Sequence, residues 1–200
     1  MKSESKLLFY SPLTTHNSPF TTMLLLQFTG LSGVGKTTLA VKLQQDLAER
    51  GIAATVIDGD VYRKTLCKDL QFSAADRKEN IRRLAAIAAT YCQQGTVAIM
   101  AAINPFEESR REVKEQYNAI TVWLCCPLPI LLQRDPKGLY SKALLPDNNP
   151  QKIFNLTGIN DPYEEPQAAD LVINTGTTDV ATASQQLLVL VLTKLKAQPC

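Results

Sequence analysis

Residues Gly30 to Thr37 read GLSGVGKT, and this stretch decides the fold. It follows an apolar run, Met23 to Phe28, and precedes a helix-like stretch from Thr38 to Glu49. A strand that leads into a glycine-rich loop, which then opens onto a helix N-terminus, directs backbone N–H groups towards phosphate oxygens. The pattern G-x-x-x-x-G-K-[ST] therefore predicts a nucleoside triphosphate site, with Lys36 at the β- and γ-phosphates and the Thr37 hydroxyl on Mg²⁺.

Composition and charge limit the classes of protein that fit. A chain of 200 residues with 45% hydrophobic content suits a domain with a full-sized core. A net charge of +2 is too small to indicate a nucleic acid or an anionic membrane as a partner, so we expect neither. The five cysteines form no C-x-x-C pair and three lie inside apolar runs, which favours free thiols in a reducing cytoplasm. No apolar stretch approaches the length of a membrane span.

The first 22 residues differ from the rest of the chain. They are rich in Ser, Thr, Pro and Asn, and they lack both a periodic pattern and a long apolar core before a cleavage site. We therefore expect a disordered tail over residues 1–22 rather than a secretory signal, with a short transit segment as the alternative. Residues 23–200 are expected to form the folded domain.

Beyond the tail, strand-like and helix-like patterns alternate. The apolar or β-branched runs are Met23–Phe28, Ala53–Ile57, Thr96–Ala102, Ile120–Cys126 and Asp170–Ile173. Helical periodicity fills the spaces between them and returns near Thr178 to Lys196. The pattern predicts an α/β fold, in which a parallel sheet of about five strands has helices on both faces and ligands at the carboxyl ends of the strands.

Two details sharpen this expectation. Ser73 and Asp76 have the spacing of a capping box ahead of a long helical pattern, and Gly95 is placed to end that helix. The segment from Asp135 to Gln167 breaks the rhythm, because it holds several prolines, two glycines and no sustained period. A loop that long in a compact domain is usually functional, so we expect a lid over about residues 135–167.

Two carboxylates follow the second predicted strand, in the sequence IDGD. Asp58 and Asp60 would lie beside the phosphate-binding loop, where a carboxylate can accept a proton from an attacking hydroxyl or hold Mg²⁺ through water. A helix N-cap in a surface turn explains the same residues equally well. Arg63 follows Asp60 by one helical turn, while the charged segment FSAADRKENIRR (72–83), taken in isolation, is more typical of a solvated helix face.

Taken together, six segments carry a resemblance. They are GLSGVGKTT, IDGDVYR, FSAADRKENIRR, an alanine-rich strand ending in INP, RDPKGLYSKA and TGINDPYEEP. From about Met23 onwards, this ordered set resembles the adenylylsulfate kinases. The phosphate-binding loop (P-loop) alone is shared by many unrelated NTPases, whereas RDPKGLY followed by TGI-x-x-PYE is far more selective.

The resemblance implies a P-loop NTPase-type fold and a definite activity. Enzymes of this family transfer the γ-phosphate of ATP, with Mg²⁺, to the 3′-hydroxyl of adenosine 5′-phosphosulfate (APS). The products are PAPS and ADP, and the reaction belongs to sulfate assimilation. ATP and Mg²⁺ are therefore the expected cofactors, APS is the expected acceptor, and a homodimer is the assembly that the resemblance suggests.

Roles for single residues are implied in the same way. Lys36 and Asp60 become the candidates for catalysis, with Asp60 orienting or deprotonating the 3′-hydroxyl. The residues matched to the ATP site are Gly30, Leu31, Ser32, Gly33, Val34, Gly35, Lys36, Thr37 and Thr38. Those matched to the acceptor site and lid are Asp58, Asp60, Arg63, Phe72, Arg77, Asn80, Ile103, Asn104, Lys137, Leu139, Phe154, Leu156, Thr157, Gly158 and Ile159.

Within that acceptor set, Arg63, Arg77 and Asn80 match positions that hold the phosphosulfate end of APS. Planar guanidinium groups suit such an anion. Phe72 and Ile103 match apolar contacts to the same substrate, and the DPKGLY segment matches the part of the lid that closes over both nucleotides.

The chain departs from the family pattern at two places. Asn104 stands where many members have a serine that can be phosphorylated in some of them, so a phosphoenzyme route through this position is closed. The lid is longer than usual between Lys142 and Thr157, and Leu156 replaces the aromatic residue that precedes TGI and covers the adenine. Phe154 lies two residues earlier and is the candidate substitute. We expect weaker APS binding than an intact aromatic clamp would give.

Three other functions were weighed against an adenylylsulfate kinase. A nucleoside or sugar kinase could share the scaffold but would need another use for Arg63, Arg77 and Asn80. A GTPase-type switch would require an N-K-x-D segment, which the chain lacks. A catalytically weak, nucleotide-binding paralogue would fit the departures in the lid.

Overall fold

The computed structural model describes residues 23–197, so the expected tail over residues 1–22 lies outside the described part. Five strands form one parallel sheet in the order β2-β3-β1-β4-β5. They are β1 (Leu25–Thr29), β2 (Ala54–Asp58), β3 (Val97–Ala101), β4 (Ile120–Cys125) and β5 (Leu171–Asn174). Each predicted strand overlaps one of these, and the α/β fold class is confirmed.

Seven helices accompany the strands in the described residues. They are α1 (Lys36–Ala48), α2 (Gly59–Arg63), α3 (Ala74–Gln93), α4 (Glu107–Tyr117), α5 (Leu128–Arg134), α6 (Leu139–Ala143) and α7 (Val180–Lys196). None of the helices in residues 23–197 combines the length and the apolar character that crossing a bilayer requires.

The central strand β1 shows why the sheet is covered on both faces. Successive side chains of a strand point to opposite faces. Leu26 and Phe28 join the core that contains α1 and α7, whereas Leu25 joins the core built on α3 and α4. Because both faces are buried, all five residues of β1 are buried and apolar positions need not alternate with polar ones.

Helix α3 begins and ends where the sequence pattern predicts. The Ser73 hydroxyl accepts from the Asp76 N–H at 3.1 Å, and the Asp76 carboxylate accepts from the Ser73 N–H, which completes the capping box. Just after the helix, Gly95 has φ 77°, a left-handed conformation that favours glycine. This helix carries Arg77 and Asn80 at its N-terminal end and thereby places them near the carboxyl ends of the strands.

The predicted lid, residues 135–167, contains little regular structure. Its only helix within the described chain is the short α6, and a single bridge pairs Thr157 with Asp161. Beyond the lid, β5 adds an edge strand, and α7 packs against α1 with Ser184 bonded to Asp46 at 2.5 Å. The lid therefore connects two parts of the sheet while lying over the carboxyl ends of its central strands.

Candidate active site

The phosphate-binding loop is shaped by glycines at positive φ. Gly30 has φ 145°, and a Cβ atom there would lie 2.2 Å from the Leu124 carbonyl oxygen, so only glycine fits beside β4. Gly35 (φ 96°) is the N-cap of α1, and no side chain caps the helix. The N–H groups of the first helical turn are therefore left for a ligand, and the helix dipole favours an anion.

Lys36 bends back over this loop. Its Nζ donates to the carbonyl oxygens of Gly30 at 2.9 Å and Leu31 at 2.8 Å. Burial of the ammonium group lowers the pKa of Lys36 to about 8, an effect that the nearby carboxylate of Asp60 opposes. A phosphate group beside Lys36 would favour the charged form of the side chain.

Asp58 is an N-cap, as one of the two interpretations of the sequence predicted, and it also contacts the phosphate-binding loop. One carboxylate oxygen accepts from the N–H groups of Asp60 at 2.8 Å and Val61 at 3.2 Å, so Asp58 is the N-cap of α2. The other oxygen accepts from the Thr37 hydroxyl at 2.6 Å. The cap thus fixes a carboxylate oxygen directly against the residue expected to bind Mg²⁺.

Asp60 lies on the open side of the same turn. Its side chain is exposed and forms an ion pair with Lys137 of the lid. This contact joins α2 to the lid. Because both side chains are more than half exposed, solvent screens the pair, and it can open at little cost.

A cavity of about 820 Å³ lies between the loop, the strand ends, α3 and the lid. The predicted site residues that line it are Ser32, Gly33, Gly35, Lys36, Thr37, Thr38, Asp60, Arg63, Phe72, Arg77, Asn80, Ile103, Asn104, Lys137, Leu139, Leu156 and Thr157. Those that do not line it are Gly30, Leu31, Val34, Asp58, Phe154, Gly158 and Ile159. Most of the predicted set is thereby brought to one place.

Two guanidinium groups lie against the Phe72 ring on the acceptor side of this cavity. Arg63 and Arg77 are 4.7 and 5.5 Å from the ring centroid of Phe72. Burial, followed by the charge of Arg77, lowers the pKa of Arg63. An anion bound between the two groups would relieve this repulsion. Arg77 is 5% exposed, so the solvated-face interpretation of this segment is wrong for it.

Two buried amides complete this wall. Asn80 and Asn104 are nearly inaccessible to solvent, and the Oδ1 atom of each has no hydrogen-bond partner among the described residues. Asn104 has φ 44°, and its Nδ2 donates to the Oε1 atom of Gln27 on β1 at 3.1 Å. Unpaired buried carbonyl oxygens are costly, so these two amides are exceptions to the usual pairing of buried polar groups.

The first half of the lid is fastened to the phosphate-binding loop. The Tyr140 hydroxyl donates to the Ser32 carbonyl oxygen at 2.9 Å. Pro136 packs so closely on Gly33 that a Cβ atom at the glycine would lie 3.3 Å from Pro136 Cδ. Gly33 therefore supports the lid as well as lining the cavity.

The second half of the lid is fastened through Tyr163 and Glu164, which lie in the TGINDPYEEP motif but were not predicted as site residues, and through Arg110, which lies outside the quoted motifs. Tyr163 of the PYE segment bonds the Thr29 hydroxyl at 2.9 Å, and burial raises the pKa of Tyr163 to about 12, so the phenol stays neutral. The buried Arg110 donates to the Glu164 carbonyl oxygen at 2.7 Å. The motif was the signal for Tyr163, since the hydroxyl of a buried tyrosine usually has a hydrogen-bond partner. No motif indicated Arg110.

Leu156 and Phe154 face different environments. Leu156 is 5% exposed and lines the cavity, whereas Phe154 is 60% exposed and its ring lies 5.4 Å from Lys152 Nζ. Leu156, and not Phe154, therefore occupies the cavity wall next to Thr157. Gly158 follows, and a Cβ atom there would lie 2.6 Å from a methyl group of Leu31, which explains a glycine at a position outside the cavity.

Metal binding by the protein alone has little support. Within residues 23–197 no group of three or more His, Cys, Asp or Glu side chains could hold an ion. Thr37 and Asp58 nevertheless supply neighbouring oxygen atoms. This donor set fits Mg²⁺, which prefers oxygen, keeps several waters and is usually completed by substrate phosphates.

The fold and the site define a phosphotransferase of the P-loop kinase class, with a triphosphate loop facing a cationic acceptor pocket beneath a lid. The sequence model described as adenylylsulphate kinase matches residues 22–174. A probable adenylyl-sulfate kinase of Bacillus subtilis (strain 168) is 46% identical over 174 residues, which cover 86% of this chain and 86% of that protein. The chain belongs to the adenylylsulphate kinase family.

Solved structures agree with this assignment. The chain is similar to Mycobacterium tuberculosis APS kinase CysC in complex with AMPPNP and APS, with a TM-score of 0.79 and 36% identity over 86% of this chain and 98% of that one. It is also similar to the hexameric APS kinase from Thiobacillus denitrificans, with a TM-score of 0.64 and 27% identity. That match covers 89% of this chain and 30% of the other.

Proposed function

We propose that this protein transfers the γ-phosphate of MgATP to the 3′-hydroxyl of adenosine 5′-phosphosulfate, giving PAPS and ADP. The observation that carries the proposal is the pair Arg63 and Arg77 on the wall of the same cavity as Lys36, in a member of this family. The cavity thus has a phosphate-binding loop for a triphosphate donor and a pair of arginines for an anionic acceptor. The lid covers both parts.

The donor half binds ATP. The N–H groups of the loop and of the first turn of α1 face the phosphates, and Lys36 neutralises charge at the γ-phosphate. Thr37 and Asp58 would hold Mg²⁺, directly or through water. When bound, the ion supplies charge neutralisation at the phosphate oxygens.

The acceptor half binds APS. Arg63 and Arg77 hold the phosphosulfate, while Phe72, Ile103 and Leu156 provide apolar contact for the nucleoside. The phosphosulfate only accepts hydrogen bonds, and Asn80, which lines the same cavity, has an amide NH₂ group that is suited to donate to it.

The transfer step needs little more than placement and charge neutralisation. Asp60 orients the 3′-hydroxyl and accepts its proton as the 3′-oxygen bonds to the γ-phosphorus. The bond from that phosphorus to the β–γ bridging oxygen breaks, and ADP leaves with the electron pair. Lys36 offsets the charge on the moving group, and the closed lid excludes the water that would otherwise accept it.

Asn104 makes this direct route the appropriate one. An asparagine side chain has no hydroxyl to carry a phosphoryl group, and the Asn104 amide is held inside the fold by Gln27. The phosphoryl group therefore passes from ATP to the acceptor without a stop on this residue.

One assay tests the function. The protein is incubated with ATP, Mg²⁺ and APS, and PAPS and ADP are quantified; without APS, we expect only slow hydrolysis of ATP. Formation of ADP without PAPS would contradict the proposal. A nucleoside or sugar that replaces APS as the better acceptor would favour the alternative kinases.

Asp60→Asn tests the role of the carboxylate. We expect this variant to lose transfer while it still binds ATP, because Asp60 is exposed and its removal breaks no buried contact. Asp69→Asn is the matched control, since Asp69 is an exposed carboxylate whose partner is Arg83 on the outside of α3. Transfer retained by Asp60→Asn would remove Asp60 from its proposed role.

Assembly and location are further parts of the proposal. The proposed assembly is a homodimer, which light scattering on the purified protein tests; a monomer or a hexamer would contradict it. The proposed location is the cytoplasm, which is supported by the free thiols of Cys67, Cys92, Cys125 and Cys126 and is tested by cell fractionation.

A further inference from the structure

The buried guanidinium of Arg77 is held on several sides. Its Nε donates to the Phe72 carbonyl oxygen at 3.0 Å, and its Nη1 donates to the Thr157 hydroxyl at 2.9 Å. Its Nη2 donates to the Asn155 carbonyl oxygen at 2.7 Å and lies 2.5 Å from a carboxylate oxygen of Asp161. Apart from Phe72, all of these partners belong to the lid.

These contacts use most of the hydrogen-bonding capacity of Arg77, so it attracts an anionic ligand mainly through its charge. A guanidinium has five N–H groups, and three of them donate to Phe72, Thr157 and Asn155. Asp161 adds an ion pair, although its near carboxylate oxygen accepts no hydrogen bond among the described residues. Arg63, by contrast, has one hydrogen bond within the described chain, from Nη1 to the Gln71 carbonyl oxygen at 2.8 Å. The two arginines of the acceptor pocket therefore differ, because Arg63 is open to an anion and Arg77 already has a carboxylate.

Asp161 itself stands behind Arg77. Arg77, Asn155 and Thr157 line the cavity, whereas Asp161 does not. In residues 23–197 it is the only carboxylate that forms an ion pair with Arg77. A ligand in the cavity thus meets a guanidinium whose positive charge is offset from the far side.

The Asp161 carboxylate is not needed to hold the turn that carries it. The Gly158 N–H donates to the backbone carbonyl oxygen of Asp161 at 2.7 Å. Within the same turn, the side chain of Asn160 accepts from the Leu156 N–H at 2.8 Å and donates to the Ile153 carbonyl oxygen at 2.7 Å. Backbone contacts and Asn160 fix this turn, so the charge of Asp161 is free to serve another purpose.

We infer that Asp161 is a positioning residue that acts through Arg77, limiting how tightly the pocket holds its anionic acceptor and product. The inference rests on the proposed function, because it takes APS and PAPS as the occupants. Both are anions, and PAPS carries an additional phosphate. An arginine neutralised from behind attracts both less strongly, and the difference is larger for the product, which therefore leaves more readily.

Asp161→Asn removes the charge and keeps the size and one carbonyl oxygen of the side chain. Asp161→Ser removes the charge in a smaller side chain, so the pair remains informative if one variant folds poorly. The matched control is Asp147→Asn, which removes one negative charge from the same lid at a side chain that is 88% exposed and pairs with Lys152. Melting temperatures establish that all the variants are folded.

Calorimetry without ATP measures the dissociation constants for APS and PAPS at about 25 mM and about 500 mM NaCl. At low salt we expect both Asp161 variants to bind APS roughly fivefold more tightly than the wild type, and PAPS by a larger factor. High salt should shrink both gains, since screening weakens the restored charge. Asp147→Asn should behave as the wild type does.

Two results would overturn the inference. Weaker APS binding by both variants would make Asp161 only an anchor of the lid, and equal affinities at both salt concentrations would remove its charge from the argument. The proposed function fails in a distinguishable way, because the wild type would then make no PAPS from ATP and APS. Wild-type turnover together with unchanged Asp161 variants would reject the inference alone.

Discussion

The phosphate-binding loop and the lid face each other across one cavity, but they are held by different means. In the loop, backbone lies directly against backbone, as Gly30 does against the Leu124 carbonyl. In the lid, most of the attachments involve a side chain, as in the Tyr140 bond to Ser32 and the Arg77 bond to Asn155. Backbone contacts leave no adjustable rotamers, so the loop is a fixed receptor, whereas the lid can exchange partners when substrates arrive.

The largest expected effect on activity comes from a change in the phosphate-binding loop. Lys36→Ala removes the cation at the γ-phosphate, and we expect kcat/KM for PAPS formation to fall by about 10³-fold. The fold should survive, because the Lys36 ammonium bonds only to two loop carbonyls in the described structure. Steady-state kinetics and thermal melting check both statements.

The matched control is Lys42→Ala on the same helix. Lys42 is 40% exposed and pairs with Asp46 one turn away, so its loss should leave kcat/KM within about twofold of the wild type. If kcat/KM falls by less than tenfold in Lys36→Ala, the phosphate-binding loop is not the main source of charge neutralisation.

A pair of glycine variants tests the two regions directly. Gly30→Ala would drive a Cβ atom into a backbone carbonyl, so we expect a loss of about 3 kcal/mol or more in the free energy of unfolding. Gly158→Ala would meet the movable end of the Leu31 side chain, and about 1–2 kcal/mol is expected there. Urea denaturation measures both. Equal losses would show that the lid is packed as rigidly as the loop.

The pH dependence of ATP binding sharpens the comparison further. With its pKa lowered to about 8, the ammonium of free Lys36 is lost as pH rises through 8. We expect the dissociation constant for ATP to rise by up to about tenfold between pH 8 and pH 9. In Lys36→Arg the profile should be flat over this range, because a guanidinium stays charged.

The same pKa has a consequence for folding stability, and its sign is opposite. The unfolded chain holds this proton up to the ordinary value of 10.5, whereas the folded chain releases it near 8. Between these values the unfolded state binds more protons, so the Lys36 contribution makes the protein more stable as pH rises. Urea midpoints at pH 8 and pH 10 for the wild type and Lys36→Arg check this. An unchanged difference would contradict it.

The smallest expected effect lies on the side of the lid. Leu156→Phe places a ring on the cavity wall where the leucine now lies, and stacking on the adenine should lower the KM for APS by about threefold to fivefold. The KM for ATP should not change. Phe154→Leu is the control, since Phe154 faces solvent. If Phe154→Leu raises the KM for APS instead, Phe154 is the clamp and turns inward with substrate bound.

How far the sequence predicts this molecule differs between the two regions as well. The loop and the sheet follow from local patterns, because apolar runs, glycines and the Ser73 capping box act over a few residues. The sequence also brought Arg63, Arg77 and Asn80 to one pocket, through a resemblance rather than through periodicity. The partnership of Arg77 with Asp161 was missed, since it joins residues far apart in a segment without a period.

Local ambiguity explains the other gaps. Asp58 fitted both an N-cap and a ligand for magnesium, and only the structure shows one carboxylate oxygen at the cap and the other against the Thr37 hydroxyl. The choice between Leu156 and Phe154 could not be made either, because an irregular chain has no fixed alternation of inward and outward side chains. Long-range placement of this kind depends on tertiary packing, which neighbouring residues do not encode.

The attachments of the lid at Tyr140 and Asn155 determine where the chain tolerates insertions. Tyr140 is bonded to Ser32 and Asn155 is bonded to Arg77, so the residues between Tyr140 and Asn155 form a loop that is held at both ends. Residues inserted into this loop would extend at the surface and would leave the distance between its two fixed ends unchanged. Doubling a loop adds only about 0.6 kcal/mol of closure entropy, so the exposed turn near Asp147 is a place where evolution, or an engineer, can insert residues without disturbing either nucleotide.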